Sequence, residues 1–137
     1  MPLHFDALET RTPEARAADV AEALSAQIAR AQGLPGYAGL LDGVEAAALR
    51  TPADLAHLPV LRKSDLGRAQ GAAAPLGGLT SRPASGFAHV FQSPGPVYEP
   101  GGGDPDWWRV GRFLHACGVG KGDIVQNCFG YHLTPAG

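Results

Sequence analysis

The tightest constraint on this chain is its punctuation. Glycine contributes 19 of the 137 residues and proline 12. Glycine loosens the backbone and proline removes an amide donor, so the helices and strands between them stay short. The apolar supply is equally limited. The hydrophobic fraction is 45%, yet 23 of those residues are alanine. Leu, Ile, Val and Phe together number 30, just above the level of roughly one fifth below which disorder becomes the default. The chain can bury a core, but a thin one, and its length suits one domain rather than two.

Charge and composition remove several classes. Eleven basic residues face 13 acidic ones, a net charge of −2. That balance argues against a nucleic-acid partner, which calls for a basic excess. No apolar run approaches the roughly 18 residues of a membrane span, so no membrane partner is expected. The opening Met1-Pro2-Leu3-His4-Phe5-Asp6 lacks the basic and apolar segments of a signal peptide. The expected location is cytoplasmic, with Cys117 and Cys128 as free thiols rather than a disulfide framework.

The first region, 1–70, reads as a helical lead-in. Thr12 is placed to cap a helix and Pro13 suits its first position. Val20, Leu24, Ile28 and Ala31 form one apolar stripe, and Gly33 with Pro35 ends it. Short helical turns follow near Tyr37–Leu41, from Thr51-Pro52 to Ala56, and from Ser64 to about Gln70. Residues 71–87 are rich in Gly, Ala, Ser and Pro and read as a loop.

The third region, 88–137, changes pattern. Ala88–Phe91 reads as a strand, and Gln92-Ser93-Pro94-Gly95-Pro96 as a turn. Asp104-Pro105 then opens a helix reaching Cys117, with Trp107, Val110, Leu114 and Cys117 on one face. Gly118 stops it, Gly122-Asp123 turns, and Ile124–Phe129 reads as a buried strand. Strand, helix, strand is a βαβ order and implies a parallel sheet. The expected class is α/β with an incomplete sheet. Thr134-Pro135 looks like another helix start, so the chain is expected to be the front part of something larger. An unfinished sheet also leaves an open edge, through which self-association is expected.

Few constellations carry chemistry. Gly120-Lys121-Gly122 lacks the Ser or Thr of a phosphate loop and lies between helix and strand, the reverse of the required order. His4, His57, His89, His115 and His132 fall at no metal-binding spacing, and no metal site is expected. His132, beside Tyr131, follows a strand end, where ligands of parallel sheets sit; an ordinary polar role is as good a reading. Cys117, Cys128, Trp107 and Trp108 lie on apolar faces and read as core. Ser93 and Gly95 stand out because small residues after a strand let amides approach an anion, with a hydroxyl as an added donor.

Several segments taken together resemble the phenylacetate–CoA ligases, within the adenylate-forming (AMP-binding) acyl–CoA synthetases. Leu58-Pro59-Val60-Leu61-Arg62-Lys63-Ser64-Asp65-Leu66 is similar to that family's LP-hydrophobic-T-x-K-x-D-L segment. Ser93-x-Gly95 falls where the family has its Ser/Thr-Gly-rich phosphate loop. Asp104–Cys117 with Gly118–Val125 resembles its helix-to-strand passage. Asn127–Gly137 resembles its aromatic strand end, and Phe5–Arg11 its opening. The segments occur in the family's order.

The resemblance implies a two-step reaction. A small carboxylic acid, of which aromatic acids are one class, attacks the α-phosphate of ATP with Mg²⁺ to give an acyl-adenylate. Coenzyme A then takes the acyl group. In that frame Ser93 and Gly95 would contact phosphate, and Tyr131 and His132 would wall the acyl pocket. The family's adenine, ribose and late-lysine motifs have no counterpart here, so this portion is expected to be inactive without a C-terminal part of the same protein. It also departs at the loop, where Pro94, Pro96, Val97 and Tyr98 replace hydroxyls and a lysine. An alternative is a non-catalytic binding or assembly module derived from the same fold.

Overall fold

In the computed structural model, residues 2–71, 74–128 and 130 are described. Helix α1 spans Pro13–Gln32. Its start follows the expected chemistry, with the Thr12 hydroxyl accepting the Ala15 N–H at 3.2 Å and Pro13 in the first turn. At its end, Gln32 Nε2 donates to the carbonyls of Leu41 (3.3 Å) and Val44 (2.7 Å), drawing the following loop back onto the helix. Helix α2, Pro35–Ala38, crosses the turn at 75–78 so closely that the Gly36 N–H donates to the Gly78 carbonyl at 3.0 Å. A Cβ on Gly36 would lie 2.4 Å from the Gly77 carbonyl oxygen. A 3-10 turn, Pro52–His57, and helix α3, Lys63–Ala69, complete the lead-in.

The sheet is an antiparallel hairpin. Strand β1, His89–Ser93, pairs with β2, Val97–Gly101, in the register Ser93↔Val97, Phe91↔Glu99 and His89↔Gly101. Pro94-Gly95-Pro96 makes the turn, with Gly95 at φ 144, a conformation open to glycine and strained for other residues. The parallel βαβ arrangement therefore gives way to strands joined directly by a tight turn, which parallel strands cannot be. Residues 124–128 are extended in sequence character but belong to no strand, and Phe129 lies outside the described residues.

Gln70, just past α3, explains how the hairpin is held. Its Nε2 donates to the Tyr98 carbonyl at 2.7 Å, and its Oε1 accepts the Tyr98 N–H at 2.8 Å. One side chain thus substitutes for a third strand along β2. In an antiparallel ladder, residues alternate between facing their partner strand and facing outward. Tyr98 faces outward, so its partner Gln92 does too, as do Val90 and Pro100. Pro100 has no N–H to offer there.

The second expected helix is shorter and starts later than Asp104. Helix α4 covers Gly111–Ala116. Asp106 and Arg109 take left-handed conformations, φ 56 and 55, and the Asp106 carboxylate accepts the Gly111 N–H at 2.8 Å. The capping carboxylate is thus Asp106, and residues 105–108 form a turn. The C-terminal stop is as the sequence suggests. Gly118 has φ 90, and the Val119 N–H returns to the Leu114 carbonyl at 2.9 Å. The N-terminal segment closes over α4. Arg112 pairs with Asp6, the Phe5 ring meets His115 edge-on at 5.8 Å, and the Arg112 guanidinium lies 5.6 Å from the Phe5 ring centre.

The core is small. Leu41, Ala46, Leu49, Leu76 and Val97 are its buried apolar residues among those described. Trp107 and Trp108 are 40% and 53% exposed, and both cysteines are exposed, so none of the four is core. Trp108 instead leans on Phe91 at 5.7 Å between ring centres. Trp107 lies over Gly102, where a Cβ would come within 2.4 Å of the indole. Among the described residues no helix is long and apolar enough to cross a membrane.

Candidate functional site

The sequence directs attention to the turn after β1. Ser93 ends that strand and is buried at 7% relative exposure. Its hydroxyl carries one proton and lies 3.3 Å from two acceptors, the Val97 carbonyl and Glu99 Oε1. The same Glu99 oxygen accepts from Lys63 Nζ at 2.8 Å. Lys63 begins α3 and Glu99 is mid-β2, so the cluster joins residues 36 apart in sequence. The result is a short polar chain, Lys63 to Glu99 to Ser93, beside the Gln70 clamp.

This arrangement decides what the turn can hold. A phosphate cradle needs several converging N–H donors and a positive local field. Pro94 and Pro96 have no N–H, which leaves Gly95 as the amide donor inside the turn. The Ser93 proton is already committed, and Glu99 sets a carboxylate against that hydroxyl while neutralising Lys63. As folded, the turn does not fit the phosphates of ATP. Among the described residues, no group of three or more His, Cys, Asp or Glu side chains comes together to hold Mg²⁺ or another ion.

Ser93 and Gly95 are therefore brought together in one turn, while Tyr131 and His132 lie outside the described residues. Sequence reasoning missed Lys63, Gln70 and Glu99 as partners of that turn. The Lys-x-Asp pattern at 63–65 was the one available signal for Lys63; no local pattern marks Gln70, whose partner is 28 residues away.

A separate groove of about 630 Å³ lies between α1, α2, the 58–61 segment and the hairpin. Ile28, Leu34, Leu41, Leu58, Phe87 and Trp107 line it, with Gln27, Arg30, Tyr37, Thr80 and Ser81 among its polar members. Arg30 is turned toward Gln27, at 2.6 Å. The 3-10 turn at 52–57 carries an acid held by several donors, Asp54. Asp54 Oδ2 accepts from the N–H groups of Arg50 (2.9 Å) and Thr51 (2.8 Å) and from the Thr51 hydroxyl (2.9 Å). These donors, the Arg50 amide foremost, hold its carboxyl below the usual aspartate range. That role is structural, since it fastens the start of a turn.

Comparison with family models, curated proteins and solved structures finds no match to this chain.

Proposed function

We propose that the chain is the front section of a phenylacetate–CoA ligase-like, adenylate-forming protein of the cytoplasm, and that it does not activate an acid alone. ATP, Mg²⁺, coenzyme A and a small carboxylic acid belong to the complete reaction; this section supplies scaffold. The observation that carries the reading is the meeting of two family-like segments in space. Lys63, from the Leu58–Leu66 segment, binds Glu99 behind the Ser93-x-Gly95 turn, and Ser93 reaches the same carboxylate. The segment that precedes the loop in sequence thereby fixes the loop in position. No step through ATP is assigned to the turn, since its prolines and Glu99 do not suit phosphate.

One feature favours the second reading, a non-catalytic assembly module. Val110, Phe113, Ile124 and Val125 are exposed at 48%, 65%, 100% and 61%. Exposed apolar side chains such as these offer area that another polypeptide can cover.

A complementation assay separates the readings. The chain is added to a phenylacetate–CoA ligase from which the matching N-terminal section has been removed, and acyl-adenylate is trapped with hydroxylamine. Recovered, dose-dependent hydroxamate formation is expected under the ligase reading. Tight binding without activity would leave the module reading in its place. Hydroxamate formation by the chain on its own would overturn the claim that it is inactive alone.

A further inference from the structure

We propose that β1 is a homodimerisation edge, pairing antiparallel with β1 of a second copy about a two-fold axis at Phe91. The hairpin has two outer edges, and they are treated differently. On β2, Gln70 occupies both backbone groups of Tyr98, and Pro100 has no N–H. That edge is closed. On β1, Val90 and Gln92 face outward by the same alternation, and among the described residues neither backbone makes a hydrogen bond beyond the hairpin. Val90 is 47% exposed and Gln92 is exposed.

The composition of β1 also invites pairing. Exposed edges are normally guarded by charge, proline or a bulge. The strand His89-Val90-Phe91-Gln92-Ser93 has no Lys, Arg, Asp, Glu or Pro, and pairs with β2 without a bulge. A second copy fits this edge by its own symmetry. With Phe91 opposite its mate, Val90 of one chain meets Gln92 of the other, twice. Each such pair exchanges two N–H to carbonyl bonds, because both residues point outward. The Phe91 side chains meet at the closer, non-hydrogen-bonded position, each already backed by Trp108. Because each hairpin has one open edge, the assembly closes at two copies and a four-stranded sheet.

Sedimentation equilibrium of the full chain, from micromolar to near-millimolar concentration, tests this. A reversible monomer–dimer equilibrium is expected. The double variant Val90→Lys with Gln92→Lys puts like charges opposite each other in both pairs and should weaken the dimer about tenfold or more. Val90→Lys with Gln92→Glu puts opposite charges across both pairs and should restore association, a result that only this register produces. A chain monomeric throughout the range, growth beyond two copies, or a dimer indifferent to the lysine pair would each overturn the proposal. Should a variant fail to fold, the wild-type chain still decides. Amide exchange at Val90 and Gln92 should slow as concentration rises, and concentration-independent exchange at both would refute the pairing.

Discussion

Replacing Gln70 with alanine removes the side chain that acts as a third strand. Two hydrogen bonds, at 2.7 and 2.8 Å, disappear together. A net bond contributes about 0.5–1.5 kcal/mol, so the upper bound is about 3 kcal/mol. Tyr98 is 42% exposed, and water replaces part of what is lost. The expected destabilisation is therefore about 1–2 kcal/mol. Against a core of this size that is a large share. Urea unfolding should show an earlier midpoint, and the Tyr98 amide should exchange about tenfold faster, since 1.4 kcal/mol corresponds to a factor of ten. Gln70→Glu separates the two bonds. It keeps an acceptor for the Tyr98 N–H but sets a carboxylate against the Tyr98 carbonyl. Its stability loss should match that of the alanine variant, while Tyr98 exchange changes less. An unchanged midpoint together with unchanged Tyr98 exchange in Gln70→Ala would refute the idea that this side chain closes the β2 edge.

Three further outcomes are expected. Glu99→Gln removes the carboxylate that neutralises Lys63 and should raise pyrophosphate affinity about fivefold at low ionic strength, from roughly 1 kcal/mol of relieved repulsion; calorimetry showing no change would defeat the account of the turn. Gly36→Ala drives a Cβ to 2.4 Å from the Gly77 carbonyl oxygen, a backbone atom, and should cost about 1–3 kcal/mol, read as a lower melting temperature; an unaltered melt would refute the close crossing of α2 over the 75–78 turn. Asp54 contributes a pH dependence. Its folded pKa lies below the unfolded value, so its contribution is complete above the ordinary aspartate pKa of about 3.9 and is lost as pH falls through the depressed folded value. The carboxylate carbon and the Thr51 amide should titrate together with a midpoint below the ordinary one; a midpoint at or above it would contradict the three-donor geometry.

Local chemistry made part of this fold readable. Thr12, Pro13 and Gly33 bound α1 because caps and stops act within a few residues. Gly118 ends α4 for the same reason. The start of α4 was not readable from Asp104-Pro105, because Asp106 competes for the capping role and two left-handed residues break the turn before Gly111. Strand β2 was hidden by Glu99 and Pro100, which suit a loop as well as an edge strand. It is a strand by its pairing with β1, while its outer edge is closed by Gln70, a partner 28 residues away about which periodicity holds no information. The same limit governs the candidate site. Ser93 and Gly95 were visible as small residues in a turn. That Glu99 would engage the Ser93 hydroxyl and pair with Lys63, contributed by a distant helix, has no local signature.

The closure of the N-terminal segment over α4 has a consequence for how the molecule comes apart. Asp6 and Arg112 are 106 residues apart in sequence, so their contact can form only after the intervening chain is in place. What holds it is a part-buried ion pair, a second contact from Arg112 to Glu9 at 4.0 Å and one aromatic edge, rather than buried apolar surface. Such a seam forms late and opens early. Salt weakens it while leaving the Gln70 clamp and the hairpin intact. The N-terminal segment bearing Phe5, Asp6 and Glu9 then lifts from α4 and uncovers His115 without the rest of the chain unfolding.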